Sequence, residues 1–235
     1  MTYAQAMRQL PLATPETLLA HRGLIVVAPH PDDETLGCGG LLAWAARGDV
    51  LRHVVFLTNG EGSHPDTTRD IAAIRRGEAM LAASHLGLTP AHLSFMGLPD
   101  TGLPTLGGEQ RLWATHWLRC LAAERSPCLI VVTADTDPHG DHRAACALIQ
   151  ESTRGLPGVE VMTYPIWSWL LLDEPVVVSG MRIDITAQRS IKASAIEAYA
   201  SQQGRLSLDV DGFRIPEELL RHVHADTEVF LRPAV

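Results

Sequence analysis

Five short apolar runs rich in β-branched residues recur through the first 165 residues, at 24–29, 53–58, 93–96, 128–134 and 160–164. The stretches between them, at about 36–47, 69–86, 109–124 and 141–153, carry apolar residues at helical spacing. This alternation leaves few folds open. Parallel neighbours need a crossover, the crossover is a helix, and helices then cover both faces of the sheet. The expectation is an α/β, Rossmann-like fold: a mostly parallel sheet with helices on both faces, built as a single domain over 24–235. Residues 1–23, with Pro11 and Pro15, read as an N-terminal arm. A chain of 235 residues buries one core of this kind comfortably. After Pro165 the rhythm breaks: 176–185 reads as extended, about 186–201 as a helix, and the tail 211–235 as a segment packing back over the site.

The first run ends abruptly in chemistry. Leu24-Ile-Val-Val-Ala-Pro leads into His30-Pro-Asp32-Asp33-Glu34, one imidazole and three carboxylates at the tip of a buried strand. A helix N-cap would need only one carboxylate. Three beside a histidine repel one another unless a cation sits among them. The fourth run, 128–134, ends likewise in Asp135-Thr-Asp137-Pro-His139-Gly-Asp141-His142-Arg143. In an open sheet with right-handed crossovers the chain runs outward and then returns beside the first strand, so strands one and four become neighbours and their tips flank the switch point where ligands bind. There His30, Asp33 and His142 form a two-histidine, one-carboxylate set with a coordination position left open for water. The same set is the facial triad of non-haem iron oxygenases, an alternative that predicts dioxygen consumption.

The glycine-rich step Gly37-Cys-Gly39-Gly40 has neither nucleotide-loop spacing, and the preceding carboxylates would repel a pyrophosphate. Close packing of the first helix explains it instead. A net charge of −8 with no basic patch argues against nucleic acid. No segment has the length of a membrane span, and the N-terminus lacks the pattern of a secretory signal. Four widely spaced cysteines, Cys38, Cys120, Cys128 and Cys146, suit reduced core residues and a cytoplasmic location. Trp167 and Trp169, in the apolar stretch 166–172, are candidate contacts of a homo-oligomer.

His-Pro-Asp-Asp-Glu at 30–34 together with His-Gly-Asp-His at 139–142 resembles the LmbE or PIG-L type N-deacetylases. The likeness extends through Arg75-Arg-Gly-Glu78, Ala82, Leu86-Gly87 and Gly97-Leu-Pro-Asp100, and more weakly to Lys192 and Tyr199-Ala-Ser-Gln202. Gly140 stands where the family usually has proline. The resemblance implies hydrolysis of a linear amide, removing an acetyl or other acyl group from an amino sugar of the N-acetylglucosamine type in a small molecule or glycoconjugate. It implies zinc or ferrous iron held by His30, Asp33 and His142, with Asp32 as general base. It also implies His139 as the electrophilic partner, with Asp141 supporting its imidazolium form, and Arg75 and Asp100 on sugar hydroxyls. A non-catalytic sugar-binding module is the other alternative, but binding alone needs neither Asp32 nor His139. Tyr199, an aromatic on an amphipathic stretch, reads as core or rim packing.

Overall fold

The computed structural model describes residues 2–233 apart from 49, 66, 172–176 and 206–211. Parts of the expected late segments, including Leu172, Val176 and Asp211, lie outside the described residues. The five predicted strands are β2 (Gly23–Ala28), β3 (Arg52–Thr58), β4 (Leu93–Leu98), β5 (Cys128–Thr133) and β6 (Val159–Tyr164). They are joined by α3 (Asp33–Arg47), α4 (Ile71–His85), α5 (Gly108–Glu124) and α6 (Gly140–Thr153). All the pairings among these strands are parallel, and β2 lies directly beside β5, from Gly23 opposite Cys128 to Val27 opposite Val132. The sheet order β6-β5-β2-β3-β4 therefore reverses between β2 and β5, where the two histidine-carboxylate clusters emerge.

Successive residues of β2 face opposite ways, so Leu24, Val26 and Ala28 pack beneath α3 and α4, while Ile25 and Val27 pack against α5 and α6. The near-continuous apolar runs follow from this coverage on both faces. Helix α3 begins at Asp33, earlier than its apolar spacing suggests, because Asp33 and Glu34 fill its first turn, where the helix dipole favours negative charge. A Cβ on Gly37 would come within 2.2 Å of the Tyr164 ring, and one on Gly40 within 2.6 Å of Ile185. Close packing thus accounts for these glycines.

The remainder of the sheet departs from the sequence expectation. The segment 1–23 contributes α1 (Tyr3–Arg8), β1 (Leu12–Ala13) and α2 (Pro15–Leu19), and β1 pairs in parallel with β7 (Gly180–Asp184). Tyr3 and Met7 are buried against Val229 and Leu231 of β8 (Thr227–Leu231). Strand β8 runs antiparallel to both β6 and β7, which completes an eight-stranded mixed sheet. A two-residue strand carries no period, so the first 23 residues could not announce that they join the sheet. The helix expected over 186–201 is shorter, α7 (Arg189–Glu197), with single 3-10 turns on either side, and α8 (Glu217–Val223) follows in the tail. Trp169 stacks on His222 and Trp167 meets Phe213 edge to face, so both tryptophans have partners within the chain. All four cysteines are free thiols, and Cys120 alone is exposed. Among the described residues no helix is long and apolar enough to cross a membrane.

Candidate metal centre and active site

Beyond Ala28 the chain leaves β2 as Pro29-His30-Pro31-Asp32 before α3 begins, so the side chains of His30, Asp32, Asp33 and Glu34 are fixed between a strand end and a helix start. All four are buried. The Asp33 carboxylate accepts the His30 N–H at 3.0 Å. Its Oδ2 also lies 3.3 Å from His30 Nδ1 and 3.3 Å from His142 Nε2, the latter delivered by the first turn of α6. Ligand atoms around a tetrahedral ion bound at about 2.0–2.1 Å stand roughly 3.3–3.4 Å apart, and each of these two separations matches that spacing. Both ring nitrogens of His142 are buried without a hydrogen-bond partner. Among the described residues two groups bring one ligand atom from each member within 4.8 Å of the others: His30, His139 and His142, and His30, Asp100 and Asp141.

Electrostatics make the same demand for positive charge. Burial would depress the His30 imidazole, but Asp100, Asp141 and Asp33 outweigh it and hold its pKa well above the usual range. Burial likewise opposes charge on His142, yet Asp33 and Asp137 push it up to about 9. Burial would raise the Asp33 carboxyl, and the adjoining His142 and His30 instead hold it below the usual carboxylate range. Protons on two imidazoles supply the charge that a divalent ion would supply in their place. The donor set therefore fits a metal.

Around these side chains stand further carboxylates. His30 Nε2 meets Asp100 Oδ1 at 3.0 Å and Asp141 Oδ2 at 3.1 Å. Asp141 also accepts the backbone N–H groups of Thr101 and Leu103. Its side chain thus contacts His30; toward His139 it acts through its charge, which raises that imidazole's pKa, and through its backbone N–H, which donates to Nδ1 at 3.2 Å. That bond fixes the hydrogen of a neutral His139 ring on Nε2. Burial, then the charges of His142 and His30, lower the His139 pKa, against the opposing charges of Asp33 and Asp141. Asp100 accepts from the Gly62 and Thr101 N–H groups, and although burial opposes it, His30, then the Gly62 N–H and Arg75, bring its carboxyl down to about 2.

Asp137 had no role in the sequence reading. It is fully buried, accepts the N–H groups of His139, Ile166, Trp167 and Ser168, and places Oδ1 3.3 Å from His142 Nδ1. A carboxylate behind a ligating histidine is the usual outer partner of such a ligand. Its signal was its place in Asp135-Thr-Asp137-Pro-His139, two residues before a histidine, which spacing alone does not separate from turn chemistry.

Asp32 sits apart from the ligand atoms and is held in an unusual conformation, φ 130° and ψ −33°, a costly region for any residue but glycine. Four contacts hold it there. Its N–H donates to Glu34 Oε2 at 3.0 Å, its carbonyl accepts from Thr35 and Leu36, and its carboxylate pairs with Arg75 at 3.2 Å. Arg75 is itself buried and donates to the carbonyls of Gly60 and Pro31. Its two terminal nitrogens are thus engaged by Asp32 and the surrounding loops, while its Nε has no partner and the side chain lines the cavity. Burial raises the Asp32 carboxyl to about 7, with Arg75 opposing that rise. Tyr199, also read as packing, donates its hydroxyl to Glu34 Oε1.

These groups open onto one cavity of about 220 Å³. Its polar end holds His30, Asp32, Asp33, Asp100, His139 and His142; its other walls include Trp167, Gln202, Phe213 and Ile215. Phe213 N–H donates to the Ser63 carbonyl, so the tail does fold over the site as expected.

A curated relative, 1D-myo-inositol 2-acetamido-2-deoxy-alpha-D-glucopyranoside deacetylase of Streptomyces avermitilis, is 27% identical over 83% of this chain and 78% of its own length. The conserved protein TT1542 of Thermus thermophilus superposes with a TM-score of 0.65 at 29% identity, over 91% of this chain and 95% of that one. At lower identity, where only the fold is shared, two neighbours differ in chemistry. The N,N'-diacetylchitobiose deacetylase of Pyrococcus horikoshii gives a TM-score of 0.59 at 23% identity, over 87% of this chain and 77% of that one. The 4-carboxy-2-hydroxymuconate hydratase GalB of Pseudomonas putida gives 0.60 at 21%, over 86% and 84%. The family model described as PIG-L, GlcNAc-PI de-N-acetylase, matches residues 25–152, more than half of the 235-residue chain and the span that holds every residue of the histidine-carboxylate cluster, so the chain belongs to the PIG-L family.

Proposed function

We propose that this PIG-L family deacetylase is a metal-dependent hydrolase that removes an N-acetyl or other N-acyl group from an amino sugar of the N-acetylglucosamine type. The fold alone does not select this chemistry, since a hydratase shares it. One observation carries the reading: Asp33 Oδ2 lies 3.3 Å from a nitrogen of His30 and of His142, while the neighbouring Asp32 lines the same cavity and pairs with Arg75. Ligand set and base are thereby separate groups.

In this reading His30, Asp33 and His142 hold zinc or ferrous iron. When bound, the ion supplies an acidified water near neutral pH and a Lewis acid for the acyl oxygen. Asp32 takes the proton from the attacking water on its carboxylate and returns it to the departing sugar amine. A carboxyl brought to about 7 by burial suits both transfers. His139 donates its Nε2–H to the oxygen on which charge collects; a neutral donor does this without a second proton to manage. Asp137, Asp141 and Asp100 orient His142 and His30.

The test is anaerobic incubation of protein reconstituted with zinc or ferrous iron with a panel of N-acetylhexosamine glycosides. Free amine and acetate should appear in equal amounts under nitrogen, and a chelator should abolish both. A requirement for dioxygen, or turnover that survives complete metal removal, would overturn the reading.

A further inference from the structure

Tyr3 is the first residue of α1, and its ring is buried in a cluster with Met7, Val229 and Leu231, against which the half-buried Trp169 packs. Its hydroxyl lies 2.6 Å from Thr136 Oγ1, a hydrogen bond that spans 133 residues of sequence. Thr136 stands at the third position of the turn 134–137, which the Asp137 N–H closes on the Ala134 carbonyl at 3.1 Å. The next residue is the carboxylate behind His142. Asp137 Oδ1 serves two histidines at once, accepting the His139 N–H at 3.0 Å and facing His142 Nδ1 at 3.3 Å.

The other segment that holds Asp137 also reaches α1. Asp137 Oδ2 accepts the N–H groups of Ile166, Trp167 and Ser168, at the head of the 3-10 turn Trp167–Leu170. Trp169 of that turn stacks on His222, whose Nδ1 lies 3.0 Å from Arg8 Nη2. A helix outside the residues 25–152 matched by the family model therefore touches both segments around Asp137. We infer that Tyr3 is a positioning residue for the metal centre: through Thr136 its hydroxyl fixes the turn 134–137, and with it the carboxylate that orients His142. The inference rests on the proposed metal-dependent deacetylase reading. An apolar seat would take a phenylalanine ring as readily as a tyrosine, so packing does not call for the hydroxyl. An outer carboxylate acts on a ligating imidazole by orienting it and raising its basicity, and both depend on where its oxygen stands. Four N–H groups already anchor Asp137, so loosening the turn costs less than losing the carboxylate itself.

The experiment uses the full-length protein as wild type, Tyr3→Phe, Thr136→Val, the double variant and Thr136→Ser. Zinc affinity is read by competition with a chromophoric chelator, well below the lowest unfolding midpoint of the set. Tyr3→Phe and Thr136→Val should each weaken zinc about three- to tenfold, below the 10–100-fold of a lost outer ligand partner, and the double variant should match either one to within about twofold. Thr136→Ser, which keeps the hydroxyl, should bind as wild type does. Zinc-saturated Tyr3→Phe should lose kcat about threefold on the methyl glycoside of N-acetylglucosamine, with KM little changed. A residue that only packs would lower the midpoint and leave the zinc affinity of the folded protein alone. Should Tyr3→Phe not fold, Thr136→Val against Thr136→Ser carries the same comparison. Zinc affinity within about twofold of wild type in the single variants, or losses that multiply in the double variant, overturns this inference alone. Coupled zinc losses in a wild type that hydrolyses no N-acetylhexosamine glycoside overturn the deacetylase reading and leave the tie from Tyr3 to the metal standing. Wild type that binds neither zinc nor ferrous iron overturns both.

Discussion

The Tyr199 hydroxyl donates to Glu34 Oε1, across 165 residues of sequence, and the other oxygen of that carboxylate accepts the N–H of Asp32. A side chain near the end of the molecule thereby holds the backbone of Asp32 in its positive-φ conformation. Removing the hydroxyl in Tyr199→Phe takes one of the two hydroxyl donors, Tyr199 and Thr35, from the buried Glu34 Oε1. We expect a loss of about 1–3 kcal/mol in stability by denaturant titration and a fall in kcat with KM little changed. Unaltered kcat in a destabilised variant would reduce Tyr199 to a packing role.

Asp32 and His142 should separate cleanly. Asp32→Ala should keep its metal, measured by mass spectrometry of the ion on desalted protein, and lose on the order of 10²–10⁴ in kcat. His142→Ala should lose the metal itself. Turnover by Asp32→Ala at the wild-type rate would remove it as base.

Asp137→Asn tests the carboxylate behind His142. Metal affinity, read by competition with a chromophoric chelator, should drop by roughly 10–100-fold, because the imidazole loses both orientation and basicity. An affinity equal to wild type would leave Asp137 only its backbone contacts at 166–168.

The pH dependence follows from Arg75. Asp32 acts as base when ionised, so activity falls as pH drops through its pKa. The guanidinium at 3.2 Å favours the ionised form and opposes the rise caused by burial. Arg75→Gln should therefore move the acidic limb of kcat/KM to higher pH. A limb that stays or moves to lower pH contradicts the pairing.

Lys192 and Glu228 form a buried pair at 2.8 Å, and Glu228 also accepts the N–H groups of Gly40 and Leu41 in α3. Lys192→Met leaves that carboxylate uncompensated and should cost about 3–5 kcal/mol in an unfolding titration. A cost under ~1 kcal/mol would show that Glu228 is satisfied by the helix alone.

Much of this was legible in residue order. Apolar period fixed the placement of β2 to β6 within a residue or two at each end, and the crossover rule brought the tips of β2 and β5 together before any coordinates. His30, Asp33 and His142 stood out because chemistry crowded at a strand end has no packing explanation, and the fold brings their side chains together.

What the order of residues could not convey is which partner each side chain finds. The carboxylate of Asp141 turns to His30, Arg75 clamps Asp32, Asp137 backs His142, and Tyr199 reaches Glu34. Local period reports which face of an element is apolar, because burial selects for it residue by residue. Hydrogen-bond partners are set by the meeting of segments far apart in the chain, and no local pattern encodes their distance or direction, so only the folded molecule decides them.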